Sequence, residues 1–249
     1  GDFSLSMKNY VTDNFDPALQ EYYKDDSASD RFAYINNVQG IYVDYMGSLG
    51  TFRYRAGARL EQTETNFNLY DGKGYNFPHE YYNLFPSAMI MKRFANGMNI
   101  HLGYSMRIDR PGISELNPFV FYNDSYDMSY GNPDLAPSPI QNLRLSFGKF
   151  SPDNTLSFRA EVNYAYQNNI AKQITTVNPD GIEVATYKNI ATANTVGGNM
   201  FVGYRPIDNL FITVFGSVNN TAFTLDKQDT FNITLNNATF LRSAMNIDY

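Results

Sequence analysis

Hydrophobic and polar residues alternate with a period of two in three long runs of the chain. In the first, Phe52, Tyr54, Ala56, Ala58 and Leu60 interleave with Arg53, Arg55, Gly57, Arg59 and Glu61. In the second, Met98, Ile100, Leu102, Tyr104 and Met106 alternate with Asn99, His101, Gly103, Ser105 and Arg107. The third sets Leu156, Phe158, Ala160, Val162, Tyr164 and Tyr166 against Ser157, Arg159, Glu161, Asn163, Ala165 and Gln167. Successive side chains of a strand point to opposite faces, so each run predicts a strand with one apolar and one strongly polar face. Weaker copies of the pattern bring the total to about ten strands, at residues 2–11, 34–46, 51–63, 82–94, 98–109, 139–149, 155–177, 182–205, 209–220 and 238–249. No segment carries a helical stripe: residues 18–23 are too few to hold a helix alone, and prolines interrupt the other stretches.

The connections alternate in length. Residues 47–50, 95–97, 151–154 and 206–208 are short, whereas 12–33, 64–81, 110–138 and 221–237 are long. Asn178-Pro179-Asp180-Gly181 is a tight turn between two unusually long strands. Tight turns therefore gather at one end of the sheet and most of the variable mass at the other. Strands of soluble sandwiches usually run to about five or six residues, whereas membrane-crossing strands need about 9 to 11 and outer-membrane barrels pair short turns with long external loops. Aromatics near the ends of the apolar faces, Phe52 and Tyr54 or Tyr164 and Tyr166, suit girdles at a lipid interface. The polar face carries Arg53, Arg55, Arg59, Glu61, Arg107, Arg144, Arg159 and Glu161. Such charges belong against water or one another, because a dry core would exact a large desolvation penalty. A wet lumen and an ordinary solvent-facing sheet both satisfy that condition.

Composition narrows the chemistry. The 249 residues supply one domain or two small ones, and with no cysteine there is no disulfide scaffold, thiolate ligand or Cys nucleophile. A net charge of -6 argues against a nucleic-acid partner. No apolar stretch is long enough for a membrane-spanning helix. His79 is expected in a long loop and His101 on a polar strand face, and a loop carboxylate beside either would make a water-activating pair. Nucleophile-elbow, zinc-hydrolase and phosphate-loop motifs are absent. Asp25, Asp26 and Asp30 form an acidic loop without the ligand spacing of a calcium site. No catalytic, cofactor-binding or metal residue is therefore assigned. Gly57, Gly103 and Gly203 fit points of curvature or close interior packing. The long loop after Arg107 holds Phe119, Phe121, Tyr122, Tyr126 and Tyr130 among turn-fixing prolines, and reads either as a cap packed over the wall or as a ligand-contacting surface.

That loop also carries a resemblance. Tyr104-Ser105-Met106-Arg107-Ile108-Asp109-Arg110-Pro111 is followed by Leu116-Asn117-Pro118-Phe119 and then by Gly131-Asn132-Pro133-Asp134-Leu135-Ala136-Pro137. With the paired segments 34–45 and 50–61 before it, and Tyr187-Lys188-Asn189-Ile190 and Gly197-Gly198-Asn199 after it, the chain resembles the C-terminal barrel portion of a TonB-dependent outer-membrane receptor of the Bacteroidota type. The resemblance implies an all-β fold, an antiparallel transmembrane β-barrel portion of about ten meandering strands. Residues 1–249 would be part of a single β-barrel domain whose N-terminal strands and plug are missing. The implied place is the outer membrane of a Gram-negative bacterium, and the implied role is uptake of a bulky nutrient or chelate without a cofactor or covalent chemistry. The implied partners are membrane lipid, the remaining barrel and plug of the parent chain, a TonB energy-coupling protein, a surface lipoprotein and an unknown nutrient ligand. Two other readings compete. A complete ten-stranded outer-membrane enzyme requires a seam between the first and last strands and a catalytic pair. A soluble β-rich carbohydrate-binding or adhesion module requires a second sheet over the apolar faces.

Overall fold

A computed structural model describes residues 2–10, 13–16, 21–24, 30–69, 76–122, 124–151, 155–225 and 236–248. The strands are β1 (Asp2–Tyr10), β2 (Asp13–Asp16), β3 (Glu21–Lys24), β4 (Asp30–Leu49), β5 (Phe52–Leu69), β6 (Asn76–Arg93), β7 (Met98–Asp109), β8 (Phe121–Tyr122), β9 (Asp127–Ser129), β10 (Ser138–Phe150), β11 (Leu156–Val177), β12 (Glu183–Ile207), β13 (Leu210–Leu225) and β14 (Ala238–Asp248). A single helical turn, α1 (Ile113–Leu116), lies between β7 and β8. The main path is a meander, β1-β4-β5-β6-β7-β10-β11-β12-β13-β14, with every neighbouring pair antiparallel. Each of the expected strands is present in it, and β2 with β3 forms a separate hairpin.

Register carries the two faces from strand to strand at the centre of the sheet. Leu145 of β10 stands opposite Leu102 of β7 and Val162 of β11, while its neighbour Arg144 stands opposite Gly103 and Asn163. A slip of one residue would exchange those faces throughout. The apolar face is bare: Ile41 is 73% exposed and Val162 57%. No second sheet covers these positions among the described residues, as the soluble module would require. An apolar belt of this extent marks a surface built to meet something other than water. At the tight-turn end, Gly50 (φ +59°) and Gly97 (φ +79°) take the left-handed backbone that side chains disfavour.

The structure departs from the sequence reading at the loop end. β5 continues to Leu69 and β6 starts at Asn76, so the expected long link 64–81 is only 70–75. β4 likewise starts at Asp30 and β13 runs to Leu225. There Gln62 and Glu64 point outward while Thr63 and Thr65 point inward, so both faces are polar and period two is invisible although the hydrogen-bond ladder continues. β11 and β12 reach 22 and 25 residues. Against the 9 to 11 or so needed to cross lipid, they rise well above the belt.

Two edges end the path. β1 pairs with β4 only from Asp2 opposite Val38 to Tyr10 opposite Asp30, so residues 39–49 of β4 have β5 as their one partner among the described residues. β14 has β13 alone. β1 and β14 do not pair among the described residues, so the seam of a complete ten-stranded barrel is not formed there.

Candidate functional site

Residues 110–137 leave β7 and fold back as a strap over the inner face. Arg110 Nη2 donates to Glu61 Oε2 at 2.7 Å and to Thr63 Oγ1 at 3.2 Å. Glu61 and Thr63 are alternate inward residues of β5, both buried. Burial pulls the Arg110 pKa down, but hydrogen bonds to Glu61 and Tyr81 outweigh it, and the net shift is upward. Gly112 N donates to Glu115 Oε2 at 2.7 Å, which closes the single turn of α1. Ile113, Leu116 and Phe119 then pack with Phe77 against Tyr34 of β4. The Tyr34 phenol is held above its ordinary pKa by burial and by Tyr81, opposed by Arg110. Gly131 N donates to the Asn117 carbonyl at 2.6 Å. A Cβ on Gly131 would lie 2.6 Å from Asn117 N and from the Glu115 carbonyl, so only glycine permits this approach.

The strap's other end joins β12. β9 runs parallel to it, with Asp127, Met128 and Ser129 opposite Glu183, Val184 and Ala185. Asn132 Nδ2 donates to the Tyr187 carbonyl at 2.9 Å. The Asn189 amide accepts from Ala136 N at 2.9 Å and donates to the Ala136 carbonyl at 3.0 Å and the Asn169 carbonyl at 2.7 Å. Asn169 sits in a bulge of β11 at φ 58°, a backbone conformation that asparagine tolerates, and its Nδ2 reaches the Pro137 carbonyl at 3.1 Å. From Tyr34 to β12 the strap covers roughly 30 Å of wall, about six strand spacings. Of the two readings open for this loop, the folded cap is formed. It also leaves Tyr122 and Tyr126 exposed.

Below the strap the inner face is charged. Arg55 Nε pairs with Asp44 Oδ2 at 2.8 Å, Arg59 Nη2 with Glu61 Oε1 at 2.6 Å, and Arg144 Nε with Glu161 Oε1 at 3.2 Å. Gly57 makes room for the first of these: a Cβ there would stand 2.8 Å from Asp44 Oδ1. Arg53, Arg107 and Arg159 have no ion-pair partner among the described residues. Unpaired guanidinium groups need water or an anion, so this face is wet. Asp44 escaped the sequence reading because alternation in β4 is weak. Asn132 and Asn189 stand in motifs that carry the resemblance, but the ties they make from loop to strand, like that of Asn169, leave no periodic trace.

His79 stands on β6, not in a loop as expected, because β6 begins at Asn76. Its Nε2 lies 3.9 Å from Asp134 Oδ1, too far for a hydrogen bond, and that carboxylate is largely exposed. This is a surface contact and not a catalytic pair. His101 is on the inward face of β7, as expected, opposite Met91 and Ser146. Asp25 and Asp26 lie outside the described residues. Among the described residues no group of three or more His, Asp or Glu side chains could hold a metal ion.

With this geometry in hand, likeness to known proteins becomes informative. The sequence profile of the outer membrane protein beta-barrel family matches residues 2–248. No curated protein sequence matches the chain. Solved structures do. The copper transporter OprC aligns over 90% of this chain and 36% of its own at 14% identity, with a TM-score of 0.60. The siderophore receptor PiuA from Acinetobacter baumannii aligns over 81% of this chain and 27% of its own at 15% identity, TM-score 0.58. The FrpB iron transporter from Neisseria meningitidis aligns over 82% and 28% at 14% identity, TM-score 0.54. At these identities the shared property is the fold. The chain spans about a third or less of each of those proteins.

Proposed function

The chain belongs to the outer membrane protein beta-barrel family, and from that premise we propose that it forms wall and outer cap of a TonB-dependent receptor that imports a bulky nutrient or chelate. Its place is the outer membrane of a Gram-negative bacterium. The observation that carries the reading is the strap, which is fixed to β5 through Arg110 and to β12 through β9 and Asn132, and lies over a wet basic wall with Tyr122 and Tyr126 exposed. A rigid aromatic surface at the loop end of a barrel suits capture of a large ligand, and the charged wall beneath it suits a hydrated path. Binding and passage require no covalent chemistry.

In this reading residues 1–249 are one part of a single barrel domain, the C-terminal portion of a receptor of the Bacteroidota type. The edges of β4 and β14 that have no partner strand among the described residues support it, because unpaired amides and carbonyls in lipid are untenable and call for further wall strands. The remaining barrel, a plug, a TonB energy-coupling protein and a surface lipoprotein are the partners. The similar structures are named for iron, copper and siderophore, which places metal chelates first among cargoes to test.

The test is growth of the source bacterium, with the gene deleted, on a panel of ferric and cupric chelates, peptides and glycans as sole sources. Deletion should abolish growth on one of them. The intact gene should restore it, and a correctly inserted variant with 110–137 replaced by a short turn should not. Normal growth of the deletion strain on every source, or full rescue by the strapless variant, overturns the proposal.

A further inference from the structure

Between the strap and the inner face of β4, β5 and β6 lies a cavity of about 200 Å³. Tyr34, Phe77, Leu135 and Pro137 give it a mostly apolar lining, and Arg110 stands in its wall. An apolar cavity of about 150 Å³ is large enough to take benzene, so this one has room for a ring and one small substituent. Arg110 gives that substituent its chemistry. Its guanidinium is committed to Glu61 and Thr63 through Nη2 and also interacts with Tyr81, but its Nε is buried without a partner. A buried donor left unmatched is costly and invites an acceptor. The local charge points the same way, since Arg59 and Arg110 share the single carboxylate of Glu61 at 2.6 and 2.7 Å. The other acids of the lining are turned to solvent: Asp134 is 88% exposed beside His79, and Glu80 is bound to Gln62 and Tyr82.

We propose that this cavity is a binding site for one flat apolar or aromatic group that bears a carboxylate. The ring lies among Tyr34, Phe77 and Leu135, and the carboxylate accepts from Arg110. The site rests on the reading of the strap as ligand-contacting, and the group would be a terminal part of a larger cargo.

Binding of small probes tests it without recourse to uptake. Benzoate and benzyl alcohol are titrated into the full parent protein in detergent, with saturation-transfer NMR as the readout. Both should bind. Thr65→Trp, which fills the cavity from the rigid wall, should weaken both by about tenfold or more. Arg110→Gln, which retains an amide donor toward Glu61, should weaken benzoate by about tenfold, the scale of one charge-assisted hydrogen bond, and benzyl alcohol by less than about twofold. Benzoate binding unchanged by Thr65→Trp, or equal losses for both probes in Arg110→Gln, overturns the proposal. A protein that passes this test and imports nothing would instead overturn the transport reading.

Discussion

Leu145 in the belt and Gly131 in the strap sit under opposite constraints. Leu145 faces outward with apolar neighbours and is half-exposed, so any apolar side chain that suits lipid will serve. Gly131 meets the Asn117 and Glu115 backbone where a Cβ would stand at 2.6 Å, so nothing larger fits. The belt is held by its solvent, through many interchangeable contacts. The strap is held by a few particular ones: Arg110 to Glu61, Asn132 to β12, and Asn189 to Ala136. The lesson is that chemical character decides the wall and exact shape decides the cap.

Substitutions should separate the two regimes. The largest effect is expected for Leu145→Arg, which puts a charge in the belt and should lower stability in lipid by about 2–4 kcal/mol, against about 0–1 for Glu64→Arg on the same outer face above it. Reversible unfolding in liposomes measures both, and equal losses would erase the belt. Next, Glu61→Ala leaves Arg110 and Arg59 without their shared carboxylate and should weaken strap docking by about 1.5–3 kcal/mol. Gly131→Ala should do so by about 1–3 kcal/mol through overpacking. In both variants, hydrogen exchange should accelerate in residues 110–137 while the belt portions of β7 and β10 stay protected. Loss of protection across the whole sheet would show that strap and wall unfold as one.

The smallest effect is a pH dependence. Hydrogen bonds from Tyr82 and Gln62 hold the Glu80 carboxyl below its ordinary pKa of 4.5. A depressed folded-state pKa stabilises the folded form above the ordinary value, and that contribution is lost as pH falls through the depressed one. Protection of the upper β5–β6 ladder should therefore decline on acidification, and Glu80→Gln should flatten the decline. An unchanged profile in that variant would remove Glu80 as its source.

What could be read from the sequence follows the same division. Phe52 to Glu61 declares both of its faces because lipid and water differ so sharply across one strand. From Gln62 to Asn66 both faces of β5 carry polar side chains, so the strand runs on to Leu69 with no alternation to mark it. The strap's existence was legible from its aromatics and prolines, but its path was not. Arg110 finds Glu61 across 49 residues of chain, and no local spacing encodes that meeting. His79 reads as a loop residue because Phe77-Pro78-His79-Glu80-Tyr81-Tyr82 carries a proline and no clean alternation.

The central claim is that the apolar face meets lipid while the charged face meets a wet interior. These 249 residues contain no cysteine, so single-Cys variants at each position from 52 to 61, made in the full protein with any cysteine elsewhere replaced, can carry a spin label in liposomes. Collision rates with oxygen should peak at positions 52, 54, 56, 58 and 60, and those with a water-soluble nickel chelate at 53, 55, 57, 59 and 61. Equal water access on both faces, or the reverse phase, would contradict the account.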